Sequence, residues 1–177
     1  WDAIAGAMVR CFSGHGGPLR SAAFGPMDGM VTTASFDKTV RIWRLDDGHV
    51  MNTITPGSAE AYAVAISPAG SSLAVLLRSG ELVMYRVADW VETWRIQAHD
   101  AVGNALAWSP DGATIATAGD DNTAAIWSAS DGRLVVRLHR HTHWVAGIGF
   151  HPSGEFVVTA SFDKTARILS ARDGQWI

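Results

Sequence analysis

Ser35-Phe36-Asp37-Lys38-Thr39 returns letter for letter as Ser161-Phe162-Asp163-Lys164-Thr165, 126 positions later. That interval is three times forty-two, and the same period joins positions of opposite chemical character. Trp43, Tyr85, Trp127 and Leu169 share one phase; Pro26, Pro68, Pro110 and Pro152 share another. A fixed period without slippage means stacked copies of one supersecondary unit.

The third copy shows what one unit is. Asn104-Ala105-Leu106-Ala107-Trp108 alternates small and large, the period of a strand and not of a helix. Ser109-Pro110-Asp111-Gly112 turns the chain, with proline presetting φ at the second position. Thr114 to Ala118 reads as a second strand, Asp120-Asp121-Asn122 as a turn, and Thr123 to Trp127 as a third strand. Asp131-Gly132 makes a hairpin into Arg133 to Leu138. Loops this short leave no room for crossover helices, so neighbouring strands are antiparallel. In the innermost strand Ala63 and Ala65, Ala105 and Ala107, and Gly147 and Gly149 are small, and large apolar residues fill the alternate positions. Small residues on one alternation let such strands crowd around an axis, and sheets apolar on both faces must stack. The fold class expected is all-β, with four-stranded blades arranged radially.

A histidine, a strand, Ser-Pro-Asp-Gly, a strand ending near aspartate and a strand ending in tryptophan, at this length, resemble the WD40-repeat β-propellers. The pattern shows as Gly14-His15, Asp37 and Trp43; His99, Asp121 and Trp127; and His141 with Asp163. The dipeptide that names the family occurs only at Trp1-Asp2. The resemblance implies units over 14–55, 56–97, 98–139 and 140–177, with 1–13 as the end of a preceding blade. It also implies an incomplete ring, or part of a seven- or eight-bladed one. Ala7 to Phe12 has the register of an outermost strand, which would complete the fourth blade if the ring closed at four.

The family further implies a hydrogen-bonded tetrad in each blade: indole to hydroxyl, hydroxyl to imidazole, imidazole to carboxylate. The first copy offers Trp43, Thr33, His15 and Asp37, and the third Trp127, Thr117, His99 and Asp121. The fourth keeps Thr159, His141 and Asp163 but has Leu169 at the indole position, whereas the second has Gly57, Val75, Ser79 and Tyr85. A half-satisfied buried network is worse than an apolar one, so losing one member favours losing the rest. His, Asp and a hydroxyl also make a hydrolase triad. Recurrence in several blades and a Thr shielded beneath an indole favour the structural role, and no catalytic residue is assigned.

Top-face contact positions in the family are the third and fifth residues after the tetrad histidine and the residue before the tetrad aspartate. Among the positions so mapped, Arg20, Phe36, Tyr62, Arg78, Asp120, Trp144 and Phe162 are the partner-binding candidates. Arg, Tyr and Trp are the residue types that dominate interface energetics. Trp90, at a turn where other copies have glycine, is a second exposed candidate, and Trp94 reads as packed. His139, His141 and His143 alternate as metal ligands on a strand would, but they fall in a turn and His141 is already committed.

A formal charge of −3 with two lysines offers no basic stripe for phosphate backbones, and no apolar run approaches the length of a membrane span. Neither nucleic acid nor membrane is expected as a partner, and no cofactor or metal is called for. Cys11 is alone and can form no internal disulfide, which fits a cytoplasmic location. The function expected is a non-catalytic scaffold docking a protein or peptide on the rim, with self-association or further blades covering the ends of the stack. Two alternatives are a hydrolytic or ligand-processing propeller with a site in the central channel, and a regulatory propeller within a larger signalling or assembly protein.

Overall fold

In the computed structural model the described residues are 2–25 and 29–175; Trp1, Pro26, Trp176 and Ile177, which the repeat alignment uses, lie outside them. Those residues form fifteen strands and no helix. The first blade is β1 (Leu19–Phe24), β2 (Met30–Ser35), β3 (Val40–Arg44) and β4 (Val50–Ile54). The second is β5 (Ala61–Ile66), β6 (Ser72–Leu77), β7 (Glu81–Arg86) and β8 (Val91–Gln97), and the third β9 (Gly103–Trp108), β10 (Thr114–Gly119), β11 (Ala124–Ser128) and β12 (Leu134–Leu138). The fourth holds β13 (Val145–Phe150), β14 (Phe156–Ser161) and β15 (Ala166–Ser170). Every sheet is an antiparallel meander in chain order. The inner strands β1, β5, β9 and β13 lie each beside the next, so the sheets fan out as blades of a partial propeller.

Strand alternation builds the core as three seams, one per pair of adjoining blades. In β6, Leu73, Val75 and Leu77 join Val40, Ile42 and Ile54 of the first blade, while Ala74 and Leu76 face Ile115 and Trp127 of the third. In β10, Ile115 belongs to that second seam and Ala116 and Ala118 to a third, with Val145, Val157 and Leu169 of the last blade. One strand thus supplies two cores, because successive side chains point to opposite faces. Each fully buried Leu or Ile contributes about 1.5–3 kcal/mol. Polar ties cross the same seams: Trp108 Nε1 donates to the Ala65 carbonyl at 3.1 Å, and Trp94 Nε1 to the Ala129 carbonyl at 3.0 Å.

Ala7 to Phe12 does not complete the fourth blade: these residues form no strand, and the last sheet has three among the described residues. They lie instead against the first blade, where the Phe12 ring packs on Trp43 at 5.6 Å. Between this segment and Leu19, Phe24 and Val31 is an apolar hollow of about 640 Å³. On the last blade Val158 and Ile168, in the register of buried Ala116 and Ile126, are exposed.

Trp90 departs from the exposed position expected of it. It is half-buried against the first seam, in the left-handed region at φ 59°, where Gly48, Gly132 and Gly174 occupy the equivalent turns. A bulky residue there is strained, and the packing of its ring offsets that cost.

Candidate functional site: the tetrads and the rim they support

The rim is held by the tetrads. In the first blade Trp43 Nε1 donates to Thr33 Oγ1 at 2.8 Å, and Thr33 Oγ1 meets His15 Nε2 at 2.7 Å. His15 Nδ1 meets Asp37 Oδ2 at 2.8 Å. The third blade repeats this with Trp127, Thr117, His99 and Asp121 at 2.8, 2.9 and 3.0 Å. Donor and acceptor counting fixes the roles: each hydroxyl accepts from the indole and donates to Nε2, so Nδ1 carries the proton given to the carboxylate. In the fourth blade His141 bridges Thr159 and Asp163 at 2.7 Å each, and without an indole the Thr159 hydroxyl also reaches the Arg167 carbonyl at 3.5 Å. Thr33, Thr117 and Thr159 are buried and their oxygens engaged, which withholds them from any substrate.

The aspartate is the hub. Asp37 accepts from the Gly16 N–H, the Thr39 N–H and the Thr39 hydroxyl, the last at 2.6 Å. Asp121 and Asp163 accept the equivalent bonds from Asp100, Thr123, Thr142 and Thr165. Each carboxylate therefore ties the loop entering a blade to the turn between its second and third strands. The threonine was legible in the recurring Asp-x-Thr, which the second copy replaces with Ser79-Gly80-Glu81.

Burial pushes the Asp37 and Asp121 carboxyls up, but bonds from Thr39 and His15, and from His99 and Thr123, outweigh it and hold both well below the usual range. The Thr165 hydroxyl, with His141, does the same for Asp163. The unfolded chain takes up these protons first, near pH ~3.9, so the stability they contribute is complete above that pH and lost below it. The melting temperature should fall steeply between about pH 4 and 2. Asp121→Asn, which cannot titrate, should flatten that slope; an unchanged slope would remove Asp121 from the network.

Arg95 and Arg137 brace the same loops, which the tetrad spacing does not reveal. Arg41, Arg95 and Arg137 stand in one cross-strand pair of successive blades, opposite Thr53, Val83 and Ala125, so the strand that supplies the guanidinium changes. Arg137 Nη2 donates to the Ala98 carbonyl at 3.1 Å and its guanidinium lies 5.3 Å from the Trp127 ring. Arg95 Nη2 donates to the Pro56 carbonyl at 2.5 Å and pairs with Glu81 and Glu92. That network stands where the second blade has no tetrad.

Bulges shape the rim itself. In all four inner strands the register skips one residue at the same place: Arg20, Tyr62, Asn104 and Ala146. A bulged residue is left unpaired and its side chain re-aimed. Beside each bulge the same backbone bond recurs at 2.9 Å: Phe36 N–H to Pro18, Arg78 to Glu60, Asp120 to Val102, and Phe162 to Trp144. The candidate positions of each blade are thereby held together in pairs. Phe36 of the first blade stacks on Tyr62 of the second at 5.5 Å and 6°, with the Arg20 guanidinium 5.2 Å from the Tyr62 ring. Arg78 Nη1 pairs with Glu60 at 3.1 Å. Asn104 Nδ2 donates to Asp120 Oδ1 at 2.6 Å and to the Val145 carbonyl at 3.1 Å, bridging the third and fourth blades. Trp144, Phe162 and His143 pack ring on ring at 5.0 to 5.9 Å, with Trp144 45% and Phe162 61% exposed. His143 Nδ1 also accepts the Trp144 N–H, and no group of three or more His, Cys, Asp or Glu is gathered for a metal among the described residues.

Comparison with known proteins agrees with this architecture. A model of the WD domain, G-beta repeat, matches residues 6–44 and 132–170, and one of the anaphase-promoting complex subunit 4 WD40 domain matches 64–145. The chain belongs to the WD40-repeat family. Among curated WD-repeat relatives, the periodic tryptophan protein 2 homolog of Mus musculus is 31% identical over 101 residues, 56% of this chain. The Saccharomyces cerevisiae periodic tryptophan protein 2 is 30% identical over 89 residues, 50% of this chain. The matched segments span about a tenth of the length of those relatives, 11% and 10%. WD40 domains are generally protein-interaction scaffolds, and the tetrads and blades here are of that kind.

Proposed function

We propose that this WD40 segment docks a protein or peptide on the rim formed by its inner-strand bulges and the adjoining turns. The observation that carries the reading is the pairing of bulge and turn residues, which presents Arg20, Phe36, Tyr62, Arg78, Asp120, Trp144 and Phe162 along one edge on a hydrogen-bonded backbone. Exposed aromatics held by rigid backbone bind with little loss of conformational entropy. The match to a domain of a complex subunit supports an assembly role. The network histidines and threonines act as braces for this edge.

A photo-crosslinking residue placed at Phe162 or Arg20 should capture a protein partner in cells, while one at Val91, exposed on an outer strand, should not. Crosslinks confined to Val91 would move the interface off the rim. Trp144→Ala should reduce capture at Phe162 at least about tenfold, as loss of a buried aromatic anchor does. Its melting temperature should stay near that of the unaltered chain.

A further inference from the structure

The seam between the first two blades gathers cations around an aromatic stack. Arg20, Lys38 and Arg78 are all exposed there, Arg78 paired with the Glu60 carboxylate and the Asp37 carboxylate turned inward to His15 and Thr39. Glu60 is held below its usual range by its own backbone N–H, then by Arg78, which pairs with it at 3.1 Å, and by the charge of Lys38. Neither Arg20 nor Lys38 forms an ion pair among the described residues. Lys38 is one of only two lysines in the chain, and it sits at φ 69° where the next two blades use Gly80 and Asn122. Between the cations, Phe36 and Tyr62 are already parallel and 39% of Phe36 remains exposed.

We propose that this seam takes an acidic peptide segment that places an apolar or planar side chain on the open face of Phe36 and its carboxylates beside Arg20 and Lys38. The inference rests on the rim reading and deepens it by naming the partner's chemistry. A preassembled ring pair with a guanidinium over it offers an anchor that needs no ordering. Unpaired cations on either side steer and discriminate by charge. The observations favour a peptide over a nucleic acid. A nucleic acid carries a phosphate at every nucleotide and would run on to Asp100 and Asp120 of the third blade, whereas a short peptide keeps its carboxylates beside Arg20 and Lys38.

The test is fluorescence anisotropy with three labelled probes: a short peptide whose glutamates flank one phenylalanine, its lysine-for-glutamate counterpart, and a single-stranded oligouridylate. The acidic peptide is expected to bind at least about tenfold more tightly than the other two, and to weaken as salt rises. Arg20→Glu should weaken it roughly tenfold and Lys38→Glu several-fold. Arg133→Glu, at an exposed turn between the third and fourth strands of its blade, should change nothing. Equal affinity for the two peptides, tighter binding of the oligonucleotide, or no binding of the acidic peptide overturns the proposal. Rim crosslinks at Phe162 would survive any of those results, so this failure is distinct from failure of the rim itself.

Discussion

Gly80→Ala is expected to destabilise the fold by about 3–5 kcal/mol, the largest effect of any single methyl group added here. Gly80 stands at φ +86°, and a Cβ on it would lie 2.1 Å from the His99 carbonyl oxygen and 2.5 Å from that of Ala101. Those are backbone atoms, which cannot swing aside. The closeness has a purpose: the Gly80 carbonyl accepts the N–H groups of Ala98 and His99 at 2.9 and 3.1 Å. The second blade, which has no tetrad, is thus joined by main chain to the loop that carries the third blade's histidine. Gly29→Ala is the control, since Gly29 has φ +96° with nothing within 4 Å of an added Cβ. It should cost only the dihedral penalty, about 1–2 kcal/mol. Urea midpoints of the two variants measure the difference, and similar midpoints would mean that the turn yields.

Asp121→Ala is expected to cost about 1–3 kcal/mol, at the upper end because it leaves four donors without their acceptor, the Thr123 hydroxyl at 2.7 Å among them. The His99 Nδ1–H, the Asp100 N–H and the Thr123 N–H all end on that carboxylate, and His99 is 1% exposed. An unchanged denaturant midpoint would refute the network. Ser79→Asp, which restores one member where Gly57, Val75 and Tyr85 stand in the other places, should not stabilise. Gly80→Ala and Asp121→Ala both loosen His99, so their costs in the double variant should sum to less than the two taken singly.

What the sequence could show follows from what the period preserves. Strand order, turn positions and the tetrad spacing are the same in each copy, so forty-two-residue alignment makes them visible. The bulges at Arg20, Tyr62, Asn104 and Ala146 leave no mark in residue type, because a skipped register belongs to two strands at once. The arginine brace is half legible: Arg95 and Arg137 stand forty-two residues apart and share one phase, but their reach to the Pro56 and Ala98 carbonyls is set by how the blades pack and not by the period. The stack of Phe36 on Tyr62 depends on what the next blade presents, and the identical pentapeptide at Phe162 meets Trp144 and His143 instead. The turn position of Trp90 favours glycine and exposure, while the neighbouring apolar seam rewards burial, and the seam prevails.

The skipped register has one further outcome. A residue at that point is left out of the ladder, so exchanging its side chain leaves the strand pairing intact. Affinity for a ligand can therefore drift through single replacements at four fixed places while the rest of each repeat stays frozen, and chains of one architecture can come to hold unrelated ligands.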